Sequence, residues 1–386
     1  MMKVVRGYKV RIYPTIEQMI LIEKTIGCVR LVWNYSLMER KTIYDLFHEY
    51  PELFKSHKYN RQKDWKIHFP FLREVDSQAL DTTYQELVQA YRNYYNGTHN
   101  KPIFKSKKNL RRSYTTHTTN NNIRIEDNYI RLPKVGWVKL KKKRKDVPEG
   151  AIIKAATVSK KPSGNYYVSL RLEYEQQEVQ RNNDFNIAIG LDFSTTHFYI
   201  DNNGKKANFP TFIEKTNNKI KKYQRKMSKQ VKGSNSRERT RLIVAKLYEK
   251  KNNQLKDFHH KTANKLIKNN DIIGVESLAL KDMDEHRYYR QQIQQMGYRR
   301  FIDILTYKCE DNGVLLHKAH QFYPSSKTCS NCGAIKKTFS LSQKVYSCDC
   351  GNVMNRDMNA AINLATVSLK QYLMNFIEDR TASIAW

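Results

Sequence analysis

Four cysteines form two tight pairs late in the sequence: Cys329 and Cys332 in Thr-Cys-Ser-Asn-Cys-Gly, Cys348 and Cys350 in Tyr-Ser-Cys-Asp-Cys-Gly. Thiolate pairs on glycine-bearing knuckles, joined by a short polar and basic loop, are the donor set of a tetrahedral Zn2+. The second pair has one spacer residue where two are commoner, which tightens its bite. So small a ribbon cannot bury a core of its own, and the metal must supply its folding free energy. Disulfides are the other use for such thiols. The opening Met-Met-Lys-Val-Val-Arg-Gly has no apolar leader or small-residue cleavage site, so a reducing, cytoplasmic setting at the nucleoid is expected instead. Cys28 and Cys309 stand alone in apolar stretches and read as buried thiols.

Three acids make a second constellation. Ile187-Ala-Ile-Gly-Leu-Asp192 and Asp271-Ile-Ile-Gly-Val-Glu276 are short apolar strands that each end in an acid, and Asp357 opens a helix just beyond the last cysteine. Adjacent strand ends and a helix start can bring such carboxylates together. Hard Mg2+ prefers carboxylate oxygens and keeps several waters, so two or three acids suffice to hold it. Two such ions about 3.5–4 Å apart support phosphodiester hydrolysis. Each acid also has a structural reading: Asp357 as a first-turn acid favoured by the helix dipole, Glu276 as a cap on a following helix. A single strand-then-acid signal is weak, but three in order, with a zinc clip before the last, point to a nuclease. His259 and His260 lack a cysteine or acid at metal-ligand spacing and read as packing or phosphate-contacting histidines.

Charge narrows the partner. There are 69 Lys and Arg against 37 Asp and Glu, a formal net charge of +32. Such an excess opposes folding by self-repulsion unless a polyanion neutralises it. No apolar run approaches the roughly 20 residues that span a bilayer, so the polyanion is not expected to be a membrane. Interleaved with the cations are 25 Tyr, 15 Phe and 4 Trp, giving charge for phosphates and flat rings for bases. The even spread of charge favours a large RNA over a short duplex.

The elements that must position these groups follow from periodicity. Residues 3–13 alternate apolar and basic, as a half-exposed strand does; Pro14 stops it and Thr15 caps a helix whose apolar face is Ile16, Met19, Ile20 and Ile22. Helical spacing continues over Val29–His48 and Ser77–Tyr95, around a polar segment near Tyr50–Lys63. From Lys105 the period becomes two, and six short strand signals (Tyr114–Thr119, Ile123–Ile125, Tyr129–Leu132, Trp137–Leu140, Ile152–Val158, Tyr166–Tyr174) suggest an antiparallel barrel that the N-terminal strand completes. The run Lys139–Lys145 is a solvated hairpin loop or a phosphate-contacting one. Beyond a polar linker at Gln176–Asp184, His197–Ile200 partners the first acid-bearing strand. A long basic helical stretch then runs from about Lys215 to Asn269, broken near Gly233–Ser236, and a last helix covers Met358–Tyr372.

Several of these segments carry a resemblance. Tyr8-Lys-Val-Arg-Ile-Tyr-Pro14, Cys28-Val-Arg-Leu-Val-Trp-Asn34, Ile189-Gly-Leu-Asp-Phe-Ser194, Asp257-Phe-His-His-Lys261 and Gly274-Val-Glu-Ser-Leu278 are among them. The most specific are Phe322-Tyr-Pro-Ser-Ser-Lys-Thr-Cys-Ser-Asn-Cys-Gly333 and Asn355-Arg-Asp-Met-Asn-Ala-Ala361. Together they resemble, nearly end to end, the TnpB family of transposon-encoded RNA-guided DNA endonucleases related to type V CRISPR effectors. The resemblance implies a multidomain α/β plus all-β architecture. A wedge barrel would take 1–14 and 105–180, with a helical recognition domain at 15–104. An RNase H-like RuvC domain would take 181–386, with a zinc ribbon at 325–353. It further implies Asp192, Glu276 and Asp357 as catalytic acids binding two Mg2+, structural Zn2+ on the four cysteines, and a guide RNA from the transposon end. Target DNA, double- and single-stranded, is the implied substrate, with one monomer per RNA and a short transposon-adjacent motif read around Tyr50–Lys63, Ser77–Tyr84 and Lys105–Thr119. Asn355 stands where the family often has Asp. An RNA-guided repressor without cleavage would be expected to lack one of the acids, and a DNA transposase would need a separate catalytic domain or nucleophile.

Overall fold

The computed structural model describes residues 2–108, 112–141, 147–177, 179, 187–194, 196–277, 295–338 and 343–384. They fall into two compact units, Met1–Glu178 and Val179–Trp386.

The first unit begins with strand β1 (Met2–Tyr13), whose Val4, Val10 and Ile12 are buried while Lys3, Lys9 and Tyr13 face outward. Pro14 ends it, and Thr15 caps helix α1 (Ile16–Phe47) through a reciprocal pair: Gln18 N–H donates to Thr15 Oγ1 and Thr15 N–H donates to Gln18 Oε1. Two residues of the expected apolar face do not bury. Ile22 is inaccessible and Met19 packs on the core, but Ile16 and Ile20 stand in water, because at about 100° per residue they lie on a different side of the helix from Met19, Ile22 and Ile26. The polar segment near Tyr50 contains two short helices, α2 (Pro51–Ser56) and α3 (Gln62–His68), and a 3-10 turn at Pro70–Arg73 leads to α4 (Ser77–Tyr95), capped by Asp76.

Six further strands follow: β2 (Arg112–His117), β3 (Arg124–Glu126), β4 (Tyr129–Leu132), β5 (Gly136–Leu140), β6 (Ile152–Lys160) and β7 (Tyr166–Gln176). With β1 they form a seven-stranded antiparallel ladder in the order β2-β6-β7-β1-β5-β4-β3. The long β1 pairs with β7 over most of its length and passes to β5 through Ile12 and Tyr13. Its inner face joins Ile130, Val138, Val158 and Val168 to Ile22, Val32, Leu72 and Leu80 of the helices in one core. Of the basic run, 142–145 lie outside the described residues, as does most of the expected linker.

The second unit is built on β8 (Ala188–Asp192), β9 (Tyr199–Asp201), β10 (Lys206–Ala207), β11 (Ile272–Glu276) and β12 (Leu315–Ala319), in the order β10-β9-β8-β11-β12. β8, β11 and β12 run parallel, and β9 is antiparallel to β8. The basic stretch forms α5 (Thr211–Ser228) and α6 (Asn235–Lys268), and α7 (Tyr298–Asn312) precedes β12. Alternate strand residues Ile189, Leu191, Ile273 and Val275 pack with Ala263 and Leu266 of α6 and with Phe301, Ile304 and Leu305 of α7. By the two-residue period, Gly190, Asp192, Gly274 and Glu276 face the opposite side. There lies α8 (Arg356–Ile384), beyond the β13–β14 hairpin (Val345–Ser347, Val353–Asn355).

Candidate active site and metal centre

Both acid-bearing strands read Ile-Gly-aliphatic-acid, and the register pairs Gly190 with Gly274 and Leu191 with Val275. Glycine in a strand marks a close backbone approach. A methyl group on Gly190 would run into the Ala361 carbonyl and the Ala365 amide, and one on Gly274 would meet Ser368 Oγ and the Leu364 carbonyl. The paired glycines are therefore a seat on which the α8 backbone lies directly. Ala360, Ala361, Leu364 and Ser368 are all inaccessible to water, as a seated helix face requires. Asp357, also buried, continues that face toward the helix start, over the ends of the two strands.

The three sequence-predicted acids therefore come together. Burial pushes the Asp192 carboxyl well above its ordinary range, and the charges of Glu276 and Asp357 push it further, opposed by Arg356. Burial likewise raises Glu276 to about 7; the Phe193 backbone N–H donates to its carboxylate and opposes the rise, while Asp357 adds to it. Carboxylates out of water and repelling one another are a strained arrangement that a bound divalent cation would relieve. Tyr298 closes one side: its ring meets Phe193 edge-on at 3.9 Å, its hydroxyl donates to the Glu276 carbonyl at 3.4 Å, and burial beside Glu276 and Asp192 raises its phenol.

Asp357 is held from both directions. Asn355 Oδ1 accepts from the Asp357 and Met358 amides at 3.0 and 3.2 Å, so Asn355 is the N-cap of α8. Its amide oxygen does there what an aspartate oxygen would do. The Arg356 guanidinium donates to Asp357 Oδ1 through Nε at 3.1 Å and Nη2 at 3.0 Å. α8 thus starts two residues earlier than its apolar period indicated, and Asp357 lies inside its first turn.

The four cysteine sulfurs lie within 4.8 Å of one another. Cys329–Cys350 and Cys332–Cys348 are separated by 3.7 and 3.6 Å, far from a disulfide bond and near the roughly 3.8 Å edge of a tetrahedron with 2.3 Å zinc–sulfur bonds. The donor set thus fits one structural zinc ion. Cys350, despite its single spacer, belongs to the cluster. Gly333 and Gly351 take φ of 77° and 85° to close the two knuckles. Burial pushes the Cys329 thiol up, but donation from the Cys332 backbone, the Asn352 side-chain amide and the Asn331 backbone outweighs it and lowers the thiol to about 6.

The ribbon is fastened to α8 by two buried asparagines one turn apart. Asn359 Nδ2 donates to the Thr328 carbonyl at 2.7 Å, and its Oδ1 accepts from Ser330 N–H at 3.0 Å. Asn363 Nδ2 donates to the Ser325 and Thr328 carbonyls at 2.8 and 2.7 Å. The residues flanking the first zinc ligand are thus tied to the helix turn that follows Asp357.

Comparison with known proteins agrees with this arrangement. Sequence-family descriptions match three stretches: "Helix-turn-helix domain" over 1–47, "Probable transposase" (the OrfB/IS605 type) over 171–287, and "Cas12f1-like, TNB domain" over 298–364. A Streptomyces pristinaespiralis protein named "Putative RNA-guided DNA endonuclease" is 29% identical over 96% of this chain and 90% of its own length. The Escherichia coli K12 protein "Putative RNA-guided DNA endonuclease InsQ" is 24% identical over 94% and 92%. The solved Cas12f1–sgRNA–target DNA complex shares the fold, with a TM-score of 0.53 at 13% identity over 94% of this chain and 99% of that one. Along most of its length the chain is thus similar to proteins named RNA-guided DNA endonucleases, and over 171–287 to the OrfB/IS605 type.

The segment matched as helix-turn-helix is a strand followed by one uninterrupted helix, β1 and α1. His259 is a core residue. Its Nε2 meets the Met296 carbonyl at 2.9 Å, its ring stacks on Phe198, and burial lowers it to about 4, so it stays neutral. His260 Nδ1 lies 3.5 Å from the Tyr307 hydroxyl. Sequence reasoning missed the two seat glycines and the two latch asparagines. The signal for the glycines was their matching position two residues before each acid. The signal for the asparagines was an i, i+4 pair beyond Asp357. No helix among the described residues is long and apolar enough to cross a membrane.

Proposed function

We propose that the chain is an RNA-guided DNA endonuclease, as its relatives from Streptomyces and Escherichia coli are named, and that it cuts with Mg2+ held by Asp192, Glu276 and Asp357. The observation that carries this reading is the meeting of three carboxylates, from two strand ends and a helix start, in a place where burial and mutual repulsion make them unfavourable alone. In this reading 181–386 is the nuclease domain with its ribbon at 325–353, while 1–14 with 105–180 and 15–104 are the wedge and recognition regions. A guide RNA from the transposon end supplies sequence by pairing, and the protein reads a short adjacent motif on duplex DNA.

Asp192, Glu276 and Asp357 would hold the ions, which would supply activation of the attacking water and stabilisation of the departing 3′ oxygen. The chain's own residues prepare for this. Phe193 N–H fixes the Glu276 carboxylate, Asn355 fixes the turn bearing Asp357, Arg356 offsets part of the crowded negative charge, and Tyr298 excludes water from one side. Cys329, Cys332, Cys348 and Cys350 would hold a structural zinc ion, which would fix the ribbon segment that Asn359 and Asn363 latch to α8.

The test is to purify the chain with RNA co-expressed from its native flanking DNA and to compare Asp192→Ala, Glu276→Gln and Asp357→Ala. Each is expected to abolish Mg2+-dependent cleavage and to leave guided DNA binding intact. Full cleavage by any one would remove that residue from the site. Site-specific cutting by RNA-free protein would overturn guidance and favour an autonomous nuclease or transposase.

A further inference from the structure

Arg356 and Asp357 are consecutive at the start of α8, and consecutive side chains on a helix point about 100° apart and do not face each other. Here the Arg356 guanidinium nevertheless folds over its neighbour. Nε and Nη2 donate to Asp357 Oδ1 at 3.1 and 3.0 Å, and the two side chains keep only 18% and 9% of their surface exposed. The backbone beneath them is fixed on both sides. Arg356 N–H donates to the Lys344 carbonyl at 2.9 Å, continuing the β13–β14 hairpin, and Asn355 caps the next two amides. Only the arginine side chain is left to adjust.

This pair is not the best that either group can make. Guanidinium and carboxylate match most closely as a fork, two N–H groups on two oxygens. Nε and Nη2 instead converge on Oδ1 alone. An arginine serving only to hold Asp357 would sit three or four residues along the helix, where the pair forms without bending back. The site adds a conflict of charge. Asp192, Glu276 and Asp357 gather as ligands for divalent cations, and the guanidinium cannot lose its proton to make way. Beside a bound cation it would be a like charge on the same oxygen. Its donors then need another acceptor, and the two non-bridging oxygens of a phosphodiester fit the fork that Asp357 leaves unused.

We propose that Arg356 is a catalytic residue that exchanges partners: it neutralises Asp357 before cations bind, then gives up Oδ1 and donates to the scissile phosphate. The inference rests on the reading of the three acids as a nuclease site. In its first position Arg356 lessens the repulsion among buried carboxylates and lets them fold together. In its second it meets the negative charge that builds on the phosphate during attack, where a preorganised donor acts most strongly. One permanent charge thus serves the acids alone and then the substrate.

The test measures two quantities that this exchange drives in opposite directions. Mn2+ binding to the full-length chain freed of nucleic acid is followed by electron paramagnetic resonance, with Asp192→Ala as the blank. Cleavage is followed in single turnovers with guide RNA and matching DNA. Arg356→Gln is expected to bind Mn2+ about tenfold more tightly, since a guanidinium beside a carboxylate changes its proton affinity by about one to three pK units. The same variant is expected to cut about a hundredfold more slowly, the loss of one donor aimed at developing charge, with DNA binding unchanged. Arg356→Lys keeps the charge without the fork, so it should hold Mn2+ as the parent does and recover part of the rate. Millimolar methylguanidinium should speed cutting by Arg356→Ala and leave Asp192→Ala inactive. Weaker Mn2+ binding together with slower cutting in the Gln and Lys variants would make Arg356 a prop for Asp357 and overturn the proposal. Tighter binding with undiminished cutting would overturn it too, as the mark of a charge that only impedes the cation. If Asp192→Ala loses Mn2+ and cleavage while Arg356→Gln behaves as the parent, this inference alone fails. If Asp192→Ala binds Mn2+ and cuts as the parent does, the reading of the acids falls with it.

Discussion

The zinc ribbon and the acid cluster occupy the same unit and are joined by one helix, yet they are built on opposite plans. The ribbon draws its ligands from within 329–350, makes its turns with glycines in left-handed backbone, and leaves Cys332 and Cys350 exposed. The acid cluster draws on 192, 276 and 357, which only a folded sheet can bring together, and sets its depth with glycines that let a helix backbone touch two strands. In the ribbon, glycine supplies a conformation. In the sheet, it supplies an absence of volume. The first plan tolerates its surroundings because its ligands are local and fit a metal; the second depends on the whole unit.

The same substitution should therefore behave differently in the two places. Gly190→Ala drives a methyl group into helix backbone that cannot swing aside, and a loss of about 3–5 kcal/mol in unfolding free energy is expected, together with cleavage. Gly333→Ala meets no neighbouring atom and strains only the backbone, so a loss of about 1 kcal/mol with zinc retained is expected. Equal effects in denaturant titrations would erase the distinction. Cys329→Ser probes the link between the regions. It should release the zinc, measured by metal analysis, and lower cleavage, while the Asp192–Glu276 strand pair keeps its place in the sheet.

Asn359→Ala should have a smaller effect, about 1–3 kcal/mol for breaking a buried hydrogen-bonded pair, with zinc content unchanged. If the latch transmits position, cleavage should fall by more than the lost folded fraction explains; unchanged turnover would make the ribbon a passive passenger. Acidity separates the regions further. Glu276 has a folded-state value near 7 against an ordinary 4.5, so its contribution to metal-free stability is present below about 4.5 and is lost as pH rises toward 7. A divalent cation must displace that proton. Mg2+ should therefore raise the Tm by a few degrees at pH 8 and by much less at pH 6, and a pH-independent shift would count against the acids as ligands. His259 works in the opposite sense: lowered from 6.5 to about 4, it costs stability as pH falls through that range. The smallest effect is expected from Asn355→Asp, since either residue caps a helix. Stability should stay within about 0.5 kcal/mol and cleavage near the parent's.

Local chemistry was legible in the sequence and long-range packing was not. The knuckles, the Thr15 cap, the strand ends at Asp192 and Glu276, and the α4 boundaries at Ser77 and Tyr95 all follow from spacing over a few residues. β12 and α7 went unread because Leu315–Ala319 contains His317 and Lys318, and Tyr298–Asn312 mixes charges among its apolar positions. Both gain their identity from neighbours, the strand by pairing with β11 and the helix by covering β8 and β11. Ile16 and Ile20 share a side of the helix with each other yet stay in water, because a period tells which residues share a face and not what lies opposite it. The roles of Asn359 and Asn363 depend on partners about thirty residues earlier and leave no periodic trace.

The glycine seat also bears on how such a protein can change over generations. Most helices lie on side chains, and each exchange of one core residue for another shifts the helix by some fraction of an ångström. Where α8 crosses Gly190 and Gly274 there is no such cushion, and the spacing is set by main-chain atoms that every sequence shares. The apolar layer on the other side of the sheet, from Ile189 to Leu305, can drift in composition without moving Asp357 relative to Asp192. Mutational wear in the core and accuracy at the acids are kept on opposite sides of a single layer of strands.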